Sequence, residues 1–153
     1  MYFAIVILCL FLGPALSIAA DAMLSHHDVT LALVAKWYVF WAAGVRLLLA
    51  GIRQVAQPRF TAEKIFEIHD PRALPVVREI GFGNLSMGIL AVLSFFRTEW
   101  VIPAAIVGGL YYGLAGLGHL PNKNKNAKEY TAMLTDLFAA LVLLICASCL
   151  TAW

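Results

Sequence analysis

Long uninterrupted apolar runs alternate with short polar junctions along this chain. Five runs stand out, over residues 2–20, about 29–52, about 80–96, 100–120 and about 130–152. A helix that crosses a bilayer needs ~20 mostly apolar residues, because the hydrocarbon core is ~30 Å thick and each residue rises ~1.5 Å. The runs are continuous rather than alternating with period two, which predicts helices and not barrel strands. The predicted fold is an all-α integral membrane protein with five transmembrane helices. Residues 29–152 form a four-helix antiparallel bundle, preceded by an N-terminal helix over 2–20. The whole chain, 1–153, reads as a single membrane domain.

The first run has two readings. The segment "LSIAADA" offers Ser17 and Ala19 as a signal-peptide cleavage site, but no Lys or Arg precedes the apolar stretch. That favours a retained helix or signal anchor. The junctions fix an orientation. The loop 53–79 carries Arg53, Arg59, Lys64, Arg72 and Arg78, and the loop 121–129 carries Lys123, Lys125 and Lys128. The opposite loops hold only Arg97. By the positive-inside rule both basic loops are cytoplasmic, the amino terminus is inside and the carboxyl terminus outside. Within the first loop, "TAEKIFEIHD" predicts one or two helical turns capped by Thr61, with Lys64 beside Glu67. Phe60, Ile65, Phe66 and Ile68 would lay this piece on the membrane or fold it back on the bundle. A solvated linker with one amphipathic turn is the other reading.

Composition places the domain in lipid. Of 153 residues, 62% are hydrophobic and 13% charged, against ~45–50% and ~25% in soluble domains. A formal charge of +2 gives no argument for nucleic acid. The three cysteines are too few for a disulfide scaffold. Cys146 and Cys149 form a CxxC, but "LICASCL" holds no basic neighbour to activate a thiol, so both read as packing residues. His26 and His27 are adjacent and diverge on a helix. There is no HExxH, no phosphate loop and no serine elbow, and no metal site is expected.

Polar residues inside the runs are costly in lipid and face a partner or the bundle interior. If Arg53, Glu79, His119 and Tyr130 mark the cytoplasmic edge, Arg46 lies about 10 Å up the second span. Asn84 lies about 8 Å up the third and Asp136 about 9 Å up the fifth. Three helices then offer a cation, an amide and an anion at one level, with Glu79 and His119 at the mouth. One reading is a structural ion pair between Arg46 and Asp136, completed by Asn84. The other is a polar pocket open to the cytoplasm, where Glu79, His119 and Asp136 move protons or hold a headgroup. Lys36 is expected to snorkel to the outer interface. Trp37, Tyr38, Trp41, Trp100 and Trp153 resemble an outer aromatic belt. Gly109 and Gly113 form a small-xxx-small pair for helix packing, within the chain or between copies. The groove beside Tyr111 and Tyr112 would admit a flat ligand such as a quinone or a sterol-like lipid.

Three pieces, "GVRLLLAGIRQ", "REIGFGNLSMGIL" and "GGLYYGLAGLGHL" with the asparagine-rich loop after it, resemble the DoxX-like group of small bacterial membrane proteins. Over residues 36–138 the chain resembles more closely an uncharacterised bacterial branch with an E-x-G-F-x-N-L-x-x-G stretch and a G-H-[LI] helix end. In that resemblance the branch's polar positions fall on Glu79, Asn84 and His119, its asparagines on Asn122 and Asn126, and its late aspartate on Asp136. The implied location is the bacterial inner membrane. The sequence shows no cofactor motif of a self-sufficient enzyme. The expected function is a non-catalytic accessory or small-ligand or lipid-binding subunit with a cytoplasm-facing polar pocket. The resemblance also suggests a subunit of a quinone-linked membrane oxidoreductase. A small oligomeric transporter is a third reading. Expected partners are membrane lipids and either further copies of the chain or another membrane subunit.

Overall fold

The computed structural model describes residues 2–26 and 28–151. Five helices are long and apolar enough to cross a membrane: α1 (Tyr2–Ser25), α2 (Leu31–Ala56), α4 (Ala73–Leu93), α5 (Thr98–Gly118) and α6 (Ala127–Thr151). A short helix, α3 (Pro58–Lys64), lies between α2 and α4. Every described residue outside these helices sits in a turn or loop. Many large apolar side chains stay exposed, among them Phe11, Leu16, Phe82, Leu114, Leu141 and Ile145. On a soluble domain such a surface would be a liability. On a multi-pass membrane protein it is the face that meets lipid.

The ends follow capping chemistry. Thr30 precedes α2, and its hydroxyl accepts from the Leu33 amide at 3.2 Å. Asn126 precedes α6, and its Oδ1 accepts from the amides of Lys128 and Glu129, both at 2.9 Å. Pro58 opens α3, where a missing N–H costs nothing. Thr61 therefore does not cap this helix. It sits inside α3, buried, because the helix begins three residues before it. The loop helix packs against α2 and α4, so this segment folds back on the bundle.

α5 packs along α6, and α2 along α4. α1 lies against α2, and Phe11 stacks on Phe138 of α6. The α2–α4 seam is built from glycines seven residues apart on each helix, Gly44 with Gly51 and Gly81 with Gly88. A Cβ at Gly51 would lie 2.8 Å from the Gly81 carbonyl oxygen, and one at Gly88 2.8 Å from the Leu48 amide. Backbones touch here, which small residues alone permit. Gly109 and Gly113 pack within the chain on α6. Gly109 sits against Leu144, whereas a Cβ at Gly113 would meet Ala140 at an ordinary 3.6 Å.

Two stretches, Leu8–Leu12 in α1 and Val39–Val45 in α2, are wound as π-helix. The Arg46 amide bonds the Trp41 carbonyl, five residues back. Such widened turns leave carbonyls seeking other donors, and the Tyr112 hydroxyl donates to the Ala42 carbonyl at 2.6 Å.

At the end of the bundle away from the basic loops, Lys36 finds a partner on α1. Its Nζ bonds Asp21 Oδ2 at 3.0 Å, and Trp37 Nε1 donates to the same oxygen at 3.0 Å. Trp41 Nε1 donates to Ser17 Oγ at 2.9 Å. Asp21 was hidden at the level of sequence because α1 runs on to Ser25 instead of stopping at residue 20. Two belt tryptophans thus clamp α1 to α2 through specific hydrogen bonds, and Trp100 is exposed. Trp153 and His27 lie outside the described residues. Cys9 and Cys146 are buried and Cys149 is exposed, so the CxxC cysteines do not share one packing environment.

The glycine seam makes a direct prediction. Gly51→Ala and Gly88→Ala each push a methyl into backbone and should destabilise by ~1–3 kcal/mol, the usual range for overpacking. Gly83 has open space around its Cβ position, so Gly83→Ala should leave the detergent melting midpoint unchanged or slightly raised. Equal midpoints for all three variants would contradict the seam.

Candidate functional site

The polar layer is centred on Arg46, one residue after the π-wound stretch of α2. Its Nη2 donates to Asp136 Oδ1 at 2.6 Å and to Thr135 Oγ1 at 3.0 Å, both on α6. The side chains of Arg46 and Asp136 are 10% and 12% exposed. The guanidinium also lies over the Tyr112 ring, 4.7 Å from its centroid. The cation and anion therefore meet at the level their sequence positions imply. Asn84 does not complete this pair, and Thr135 takes that place. Asn84, almost fully buried on α4, donates its Nδ2 to Gln54 Oε1 of α2 at 2.6 Å.

Glu79 does not join the group. It is exposed on α4. The helix begins at Ala73 rather than near residue 80, so Glu79 lies within its regular winding. At ~100° per residue, the five steps from Glu79 to Asn84 turn the two side chains about 140° apart. The inward stripe of α4 is instead Val77, Gly81, Asn84, Gly88 and Ala91.

His119 sits just past the last residue of α5. Its Nδ1 lies 3.2 Å from Glu129 Oε1, and Asn122 Nδ2 donates to Glu129 Oε2 at 2.8 Å. Glu129 is 4% exposed. Hydropathy alone starts the fifth span at Tyr130 and leaves Glu129 in a loop, which is why it was missed. In the structure it occupies the first turn of α6 and faces inward. The loop after α2 is latched over this corner. Asn126 Nδ2 donates to the Ile65 carbonyl at 3.0 Å and to Glu67 Oε1 at 3.1 Å. Phe66 stacks on the His119 ring, with centroids 5.6 Å apart and planes at 16°. The expected neighbour relation of Lys64 and Glu67 gives way to this link between two loops.

These groups surround a cavity of about 500 Å³ at the basic-loop end of the bundle. Arg46, Arg53, Asn84, Tyr111, His119 and Asp136 line it, and Phe60 and Phe66 from the latched segment border it. So Arg46, Asn84, His119 and Asp136 share one space, and Glu79 does not. Arg53 and Gln54 were missed as site residues because α2 continues four residues past the predicted end, which carries them into the wall. Arg53 was counted only as a loop charge. Its guanidinium lies 3.5 Å from the Phe60 ring centroid. Among the described residues, no group of three or more His, Cys, Asp or Glu side chains is placed to hold a metal ion.

The sequence profile of a family of unknown function (DUF6790) matches residues 1–151, and the chain belongs to that family. No curated protein and no solved structure matches it.

The buried pair should behave as a unit. Asp136→Ala leaves the Arg46 charge buried without its partner and should cost ~3–5 kcal/mol, read as a lower melting midpoint in detergent. Replacing both, Arg46→Met with Asp136→Leu, should recover most of that loss. Glu79→Gln should leave the midpoint where it was. A normal midpoint for Asp136→Ala would rule out a stabilising pair.

Proposed function

We propose that this multi-pass protein is a non-catalytic accessory subunit that binds a small ligand or lipid in the cavity at its basic-loop end. One observation carries this reading: five helices and a latched loop converge on a single space of about 500 Å³, within the range of ligand sites. The Arg46–Asp136 pair supports a binding role over a proton-moving one. The arginine Nη2 occupies one carboxylate oxygen, and both groups are held by packing. His119 is likewise tied to Glu129 and covered by Phe66.

A second reading is a DoxX-like subunit of a quinone-linked membrane oxidoreductase. The paired rings of Tyr111 and Tyr112, 5.8 Å apart on the cavity wall, favour it, since aromatic walls suit a flat ring. The two readings share the site and differ in what fills it. The proposed setting is the bacterial cytoplasmic membrane. Eight Lys and Arg residues at the cavity end, in the loops and the helix ends beside them, against Lys36 and Arg97 at the other end, support a site that faces the cytoplasm.

Native mass spectrometry of gently extracted protein should show a bound small molecule or lipid. Ala115→Phe, which fills the cavity from α5 without removing a polar group, should abolish that adduct at an unchanged melting midpoint. An adduct that survives Ala115→Phe would place the ligand elsewhere. Orientation is tested separately. In a chain whose native cysteines are replaced, Asn124→Cys should react with an impermeant thiol reagent only after the inner membrane is opened. Labelling in intact spheroplasts would reverse the topology.

A further inference from the structure

Among the described residues, three side-chain atoms are buried without a hydrogen-bond partner: Arg46 Nη1, Arg53 Nε and Asn84 Oδ1. All three residues line the same cavity. A buried polar group left unpaired costs ~1–3 kcal/mol, and more when charged. Folded proteins avoid such groups, so three sealed orphans on residues that share one cavity wall point to a guest toward which these side chains turn to find their missing partners. Arg46 and Asn84 are more than superficially enclosed: the Arg46 side chain is 10% exposed and Asn84 2%.

The chemistry of the guest is set by the orphans. Two of the three are guanidinium N–H donors, which call for an oxygen acceptor. The charge around the cavity gives the sign. Arg46 is neutralised by Asp136. Glu129 is held by His119 and Asn122 behind the wall. Glu67 is engaged by Asn126, and Glu79 points away from the cavity. Arg53 is stacked on Phe60 and forms no ion pair among the described residues. Arg53 therefore leaves positive charge unpaired at the wall, with Lys128 Nζ 5.4 Å from the centroid of the same Phe60 ring, and an anionic guest would match it.

The rest of the wall is apolar. Leu49 and Ile80 line the cavity and are also 40% and 38% exposed on the lipid-facing surface. Both offer open apolar surface to an occupant of the space. A free inorganic anion would leave most of it empty.

We propose that the cavity binds an amphiphile with one anionic oxygen headgroup, a carboxylate or a phosphodiester. The head is seated by Arg46 Nη1–H and Arg53 Nε–H, which are sealed within the wall in this structure and turn toward the guest, and the tail leaves past Leu49 and Ile80 into the membrane. Asn84 Oδ1 accepts a hydroxyl of the head or a water beside it. This rests on the cavity being a ligand site and adds the class of ligand.

The test uses the full chain, delipidated in a non-ionic detergent, with binding read by native mass spectrometry. The probes are oleate, dioleoylphosphatidylglycerol, oleyl alcohol, dioleoylglycerol and inorganic phosphate. Oleate or the phosphatidylglycerol should bind one to one, about tenfold or more tighter than its neutral counterpart, the scale of one charge-assisted hydrogen bond. Which of the two binds separates a fatty acid from a phospholipid as the source. Arg53→Gln should erase the preference for the anion. Arg53→Lys should retain part of it, because the charge stays and the Nε donor is lost. Equal binding of oleate and oleyl alcohol, both blocked by Ala115→Phe, would overturn the anionic head and leave the cavity as a ligand site. Phosphate competing as strongly as the lipids would overturn the tail. Binding of none of the probes, with no adduct in the native extract, would overturn this proposal and the ligand-binding function together.

Discussion

The fold depends on how it houses one buried cation. Arg46 enters α2 at a depth where water is scarce, and an unpaired charge there would be prohibitive. Asp136 answers it from α6, and that requirement fixes how far the second and last spans slide past each other. Tyr112 lies under the guanidinium from α5 and bonds the π-wound stretch just before Arg46, so the same cation sets a third helix in register. The π winding of Val39–Val45 helps in a second way. It leaves the Ala42 carbonyl available for Tyr112, which ties backbone and side-chain contacts into one knot.

Around that knot the helices are held by two kinds of contact. Polar clamps act near the ends, with Asp21 binding Lys36 and Trp37 at one and Glu129 binding His119 and Asn122 at the other. Between them, close backbone approach does the packing. In lipid there is no hydrophobic gain from bringing apolar helices together, so contact depends on shape. The glycine seam of α2 and α4 supplies that shape. The cavity lies beside the Gly51–Gly81 end of this seam, where Ala50, Gln54, Ile80 and Asn84 of the same two helices line it.

Much of this was legible in the sequence, and the failures share a cause. Continuous apolar runs marked five spans, since length and hydropathy are what a bilayer demands. Counting residues from the loop edges also brought Arg46 level with Asp136. Depth alone carries no helical phase, so in the sequence Glu79 groups with Asn84 although the winding turns it outward. The run boundaries at residues 20, 52, 80 and 130 fell short of the helix ends, because helices continue past the apolar stretch when their polar residues find partners. Asp21, Gln54 and Glu129 all lie in such extensions and all make buried or half-buried hydrogen bonds. The glycine seam was visible only as two spacings of seven on separate spans, and nothing local pairs them. Gly109 and Gly113 are the more conspicuous pair because they lie close together on one span.

Asn126 is one small group that serves two elements at once. Its amide oxygen holds the first turn of α6, and its amide nitrogen holds the loop that roofs the cavity. The amide is a rigid plane, so it cannot swing to release the loop without also abandoning the helix end. The roof and the start of the last span are therefore mechanically geared. Anything that lifts Phe66 from His119 by turning this side chain also frays the segment that presents Glu129. Access to the cavity and the order of the final helix become two readings of one torsion angle.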